Sequence, residues 1–215
     1  MANHGETGET MMRIARWTAV LALALVVAGC GDDDDTGAAD TTDSTEAAPE
    51  AVGGSFVGAV EGTHAYIAVV TDPDGDAVAY VCDGDEGAAA TVAAFLEGTV
   101  TDGQLDLAPA QDVEVTGTVD GDQAEGTVTI AGEEHAFTAA AAEVPAGLYR
   151  AAESVDGDEV TAGWVIAADG TQRGALRRAG QLQPVGYIDP GTNLAVPVPG
   201  IGTLTPGYID PISDI

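Results

Sequence analysis

The chain of 215 residues contains no lysine. Six arginines stand against 36 acidic residues, giving a formal net charge of −30. Affinity for phosphate backbones rests on Lys and Arg displacing counterions, so this balance excludes nucleic acid as a partner. Anionic lipid headgroups repel such a surface too. Self-repulsion favours a soluble monomer. Aromatic residues make up only 5% of the chain, so any core is built mainly from small aliphatic side chains. Trp164 is the only tryptophan beyond residue 17, which leaves little surface for stacking sugars and argues against glycoside chemistry despite the wealth of carboxylates. Long apolar runs are missing as well. The longest, residues 17–28, falls short of the ~20 residues a membrane-crossing helix needs.

Cysteine is scarce, with Cys30 and Cys82 alone. Cys30 closes the run Leu25, Val26, Val27, Ala28, Gly29, Cys30, and Gly31 with four aspartates, Asp32 to Asp35, follows at once. Upstream, Arg13 and Arg16 precede the apolar run, and Met11 and Met12 offer alternative starts to Met1. This stretch resembles the lipobox of bacterial lipoprotein signal peptides, a resemblance limited to residues 13–30. It implies that residues 1–29 are a removable signal peptide. It also implies that Cys30 receives a diacylglyceryl thioether and becomes the first residue of the mature protein. Cys82 then has no partner and sits as a free thiol in an apolar strand; a Cys30–Cys82 disulfide is the rival reading.

Residues 31–53 are mostly Asp, Thr, Ala, Glu, Ser and Gly, with Pro49, and show no apolar periodicity. Such a segment buries too little surface to offset its ordering entropy, so residues 30–53 are expected to form a disordered acidic stalk. From residue 54 the pattern turns to period two. Val113, Val115, Gly117 and Val119 fall on one face of their segment, as do Ala124, Gly126, Val128 and Ile130 of the next. Asp120-Gly121 lies between them, and Asp-Gly flanked by alternating apolar residues is a strong hairpin signal. The dipeptide recurs at Asp74, Asp102, Asp156 and Asp169.

The pattern predicts strands at 55–60, 64–71, 77–82, 94–100, 104–107, 113–119, 123–130, 134–141, 147–151, 160–168 and 171–177, with a short helix as an alternative at 87–93. The fold class is all-β: an antiparallel up-and-down meander over residues 54–178. It closes into a barrel or folds into a two-sheet sandwich, because one open sheet of so many strands leaves exposed edges. Two half-barrels split near residues 108–110 are a further option. Residues 179–215 form a Pro/Gly-rich tail in which Gly-Tyr-Ile-Asp-Pro occurs twice, at 186–190 and 207–211. Two copies are too few for a stacked repeat. The tail is expected to be loosely ordered.

Candidate chemistry is sparse. Ser55 and Ser154, with His64 and His135, lack a Gly-x-Ser-x-Gly elbow. His64, His135 and Cys82 are residue types that zinc accepts, without ligand spacing. Asp72, Asp74 and Asp76 alternate around Gly75 as hard oxygen ligands do in calcium loops, though a hairpin turn explains the same residues. No other cofactor is expected. Arg173, Arg177 and Arg178 cluster in the last strand; they are expected to pair with carboxylates, with an anion-binding spot at Arg173 and Arg177 as the sharper alternative.

These readings converge on a non-enzymatic lipoprotein on the extracytoplasmic face of the cell membrane. It would be held there by its lipid and present a β domain for binding or interaction, with its partner undefined. A barrel carrying a small apolar ligand is one alternative, and an exported hydrolase is another.

Overall fold

The computed structural model describes residues 53–211. The expected signal peptide, Cys30 and all but the last residue of the expected stalk lie outside the described residues.

Eight consecutive strands form a closed antiparallel barrel in simple sequence order. They are β1 (Gly54–Val60), β2 (Tyr66–Thr71), β3 (Asp76–Cys82), β4 (Ala93–Thr101), β5 (Gln104–Leu107), β6 (Val113–Val119), β7 (Gln123–Ile130) and β8 (Glu133–Ala141). The barrel closes where β1 pairs with β8, setting Gly58 opposite Ala139. Every edge is thereby consumed. The inward residues form one apolar cluster in which Phe56, Ile67, Leu96, Leu105 and Phe137 fill the space between valines and alanines. Eight strands enclose just enough room for side chains to do this. Val113, Val115 and Val119 point inward as the alternation predicts, and so do Ala124 and Val128. Gly117 and Gly126 face each other across β6 and β7. A Cβ on Gly126 would collide with the carbonyl oxygen of Thr116, so the strands approach more closely here than a side chain permits.

The meander does not split near residues 108–110; that segment is a connection within the barrel wall. Residues 87–93 form no helix. The Asp83 carboxylate accepts from the backbone N–H groups of Thr91 (2.8 Å) and Val92 (3.0 Å), which closes the segment as a loop.

The remaining strands build a second sheet in the order β12-β11-β10-β9-β15. They are β9 (Gly147–Val155), β10 (Asp158–Ile166), β11 (Gln172–Arg178), β12 (Gln181–Pro184) and β15 (Gly207–Tyr208). A small hairpin, β13 (Val196–Val198) with β14 (Gly202–Leu204), lies between β12 and β15 in the chain. One face of the second sheet packs on the outside of the barrel: Leu148, Val165 and Ala175 meet Val57, Ala68, Val70, Val78, Tyr80 and Cys82. The other face is covered by the tail, where Val185, Ile188, Val196, Val198 and Leu204 close over Tyr149, Ala162, Trp164 and Leu176.

The expectation of a loosely ordered tail is therefore corrected. Trp164 donates its indole N–H to the carbonyl of Gly186 (2.9 Å). Gln172 holds Ile188 through both halves of its amide, donating to the carbonyl (2.9 Å) and accepting from the N–H (3.1 Å). The two Gly-Tyr-Ile-Asp-Pro copies serve different edges. The first follows β12, and the second supplies β15 and packs Tyr208 edge-on against Tyr149.

Candidate functional site

Between Gly54 and Ala141 there is no lysine or arginine. The four arginines of the folded region, Arg150, Arg173, Arg177 and Arg178, all stand on β9 and β11 of the second sheet. Strand alternation decides where they point. Arg150 shares a face with Leu148, and Arg173 and Arg177 share a face with Ala175, so these three are turned toward the barrel.

Arg173 lies over the ring of Tyr66 (5.1 Å), donates to the carbonyl of His64 (3.1 Å) and pairs with Asp85 (3.5 Å). Arg177 donates to the carbonyl of Ala93 (2.7 Å) on β4. Arg178, on the opposite face, binds Asp158 (3.0 Å) and the carbonyls of Val155 and Gly200. Arg173 and Arg178 pair with carboxylates as expected, and Arg173 and Arg177 also reach barrel carbonyls across the joint. Arg173 also donates through Nη1 to the carbonyl of Gln172 (2.7 Å).

Arg150 differs. It lies over the ring of Phe95 (4.7 Å), which stacks in turn on Tyr80 with ring centroids 4.1 Å apart. It pairs with Glu97 at a loose 3.8 Å, and its buried Nε has no hydrogen-bond partner among the described residues. Gly163, paired with Arg150 across β9 and β10, makes room for this stack. A Cβ on Gly163 would lie 2.5 Å from Tyr80 and 2.8 Å from Phe95. The Tyr80 hydroxyl donates to the carbonyl of Ala175 (3.1 Å), and burial pushes its pKa well above the ordinary tyrosine value, so it stays protonated.

Beside the stack a cleft of about 380 Å³ opens between barrel and second sheet. Arg150, Arg177, Phe95, Thr161 and the connection at residues 108–111 line it. A second hollow of about 220 Å³ shares Phe95, Glu97 and Arg150 and extends to Ile209. This is the candidate site. Arg150, Phe95 and Glu97 were not singled out by the sequence patterns. The available signal was an arginine set among apolar strand residues in a chain with four arginines beyond residue 16.

The other candidates are placed elsewhere. Asp72, Asp74 and Asp76 lie in the β2–β3 hairpin, where Asp72 accepts from the Asp76 N–H (2.9 Å) and Gly75 takes a φ of 91°. No group of three or more metal-ligating side chains is found among the described residues. His135 donates through Nδ1 to the carbonyl of Glu61 (3.1 Å), and His64 is exposed. Ser55 is buried on β1, and Ser154 is exposed on β9. Cys82 is a free thiol buried between barrel and second sheet, and burial pushes its pKa up to about 12. That value makes it inert rather than nucleophilic.

No family model, no curated protein and no solved structure matches the chain.

Proposed function

We propose that the chain is a lipid-anchored protein of the bacterial cell envelope, without enzymatic activity, whose β domain binds a partner or ligand beyond the membrane. The observation that carries this reading is the sequence around Cys30: a short apolar run, two small residues, a cysteine and an abrupt acidic segment. The distance to the fold supports it. With β1 beginning at Gly54, the intervening chain could stretch to roughly 80 Å, enough to hold the domain clear of the headgroups.

The character of the barrel supports it too. Apolar residues face inward while Glu114, Thr116, Glu125 and Thr127 are outward, the reverse of a barrel embedded in lipid. The packed interior also favours binding at an outer surface over the apolar-carrier alternative, which needs space within the barrel.

Replacing Cys30 by Ala should move the protein from the membrane fraction to the soluble fraction. Intact mass spectrometry of the wild-type protein should show a diacylglyceryl adduct on a chain beginning at Cys30. A mature protein without lipid mass would overturn the proposal.

A further inference from the structure

We propose that the cleft beside Arg150 binds a small monocarboxylate with an apolar body, of the size of an aryl or short-chain acid. The inference rests on the reading of the β domain as a binding module and names what it binds.

Three observations lead to it. First, Arg150 is the arginine whose donors are not spent on the fold. Among the described residues its buried Nε has no partner, and the Glu97 carboxylate, 3.8 Å from Nη1, is beyond hydrogen-bonding distance, so its Nη groups are left to meet a ligand. A guanidinium presents its N–H groups as a planar fork, which matches the two oxygens of a carboxylate. Phe95 behind it fixes the plane of that fork, since the guanidinium lies over the ring.

Second, the lining has the composition a carboxylic acid needs. Ala93, Ala108, Pro109 and Ala110 give an apolar wall, and Thr161 and Gln111 add polar groups to the lining. Arg177 contributes a second positive charge on the same face of the sheet, two residues along and two strands over. A volume of about 380 Å³ lies within the range of small-molecule sites.

Third, the charges select against more highly charged anions. Glu97 stands at the rim of the same cleft, and the barrel wall above it carries acids without a single lysine or arginine. A phosphate or dicarboxylate would bring a second negative charge into this field, where like charges repel. A monocarboxylate needs only the one fork.

The test uses the full-length chain purified in detergent, titrated by calorimetry and by NMR with benzoate and phenylacetate, and with benzamide as the neutral isostere. Benzoate or phenylacetate should bind with a dissociation constant of about 1 mM or tighter. Benzamide should bind at least about tenfold more weakly, because it cannot form the charge-assisted pair. Arg150→Gln should weaken carboxylate binding about 10- to 100-fold. Since loss of Arg150 also removes its contact with Phe95, a second variant leaves the stack intact: Pro109→Trp fills the cleft from its exposed rim and should abolish binding with unchanged thermal stability. Absence of carboxylate binding to the wild-type protein, equal affinity for benzamide, or wild-type affinity in either variant would overturn the proposal. None of these outcomes touches the anchoring, which is read separately from Cys30→Ala.

Discussion

The barrel and the second sheet are built from similar residues but solve the burial problem in different ways. The barrel closes on itself and needs nothing beyond its own strands to satisfy its edges. Its strands β5 to β7 face water on the outside and alternate accordingly, as in the Val113–Val119 strand. The second sheet is open and covered on both faces, by the barrel wall and by the tail. Its central strand is buried from Ala162 to Ile166 without a break. The same unbroken burial appears in the barrel at β2 and β3, which form the wall the second sheet covers. A continuous apolar run thus marks a strand buried on two sides, whereas alternation marks one side in water. The arginines stand on the sheet laid against another surface, where Arg173 and Arg177 reach the barrel carbonyls of His64 and Ala93 across the joint.

The strongest way to break this comparison is to remove the cover. Trp164 is fully buried between the second sheet and the tail and hydrogen-bonds Gly186. Trp164→Ala should cost about 3–5 kcal/mol in denaturant unfolding. In a Cys30→Ala background Cys82 is the only thiol and lies in the joint, so its alkylation rate reports whether the sheet lifts from the barrel. Faster labelling is expected, and unchanged labelling would mean that the sheet is held by the barrel alone.

Attacking the joint itself should cost less. Gly163→Val places carbon atoms where Tyr80 and Phe95 now stack, and about 1–3 kcal/mol of destabilisation is expected, again with faster labelling of Cys82. Arg177→Ala removes one charge-assisted hydrogen bond to Ala93 and should cost about 1–2 kcal/mol by thermal or chemical unfolding.

The smallest effect concerns the exposed link between the barrel loop and the tail. Tyr187 donates to Asp85 (2.6 Å), and this hydrogen bond, followed by the charge of Arg173, holds the Asp85 carboxyl below the usual aspartate range. A depressed carboxyl stabilises the fold above the unfolded-state pKa, and that contribution is lost as pH falls through the folded-state value. Tyr187→Phe should therefore move the Asp85 titration upward, as read by carboxyl NMR. It should also flatten the acid limb of the stability curve, through a small loss of stability at neutral pH that disappears below the Asp85 titration.

Much of this architecture was legible in the residues. The Asp-Gly turns and the period-two segments placed the strands from β1 to β11 to within a few residues, because hairpin pairing is local and each turn fixes the register of its neighbours. The acidic balance and the motif at Cys30 depend on composition and order alone. Three features were not legible. That the meander closes after β8, and not after β6 or β10, depends on Gly58 and its neighbours meeting β8 about eighty residues away. The tail lacks periodicity because its apolar residues insert singly into the face of a sheet that already exists, so Val185, Ile188 and Leu204 find their places only once Trp164 and Leu176 have made them. The cleft joins Phe95 and Glu97 of one layer to Arg150 of another. Side-chain alternation determines which face each residue takes, but which face meets which is decided by long-range packing, and no spacing within a single strand records it.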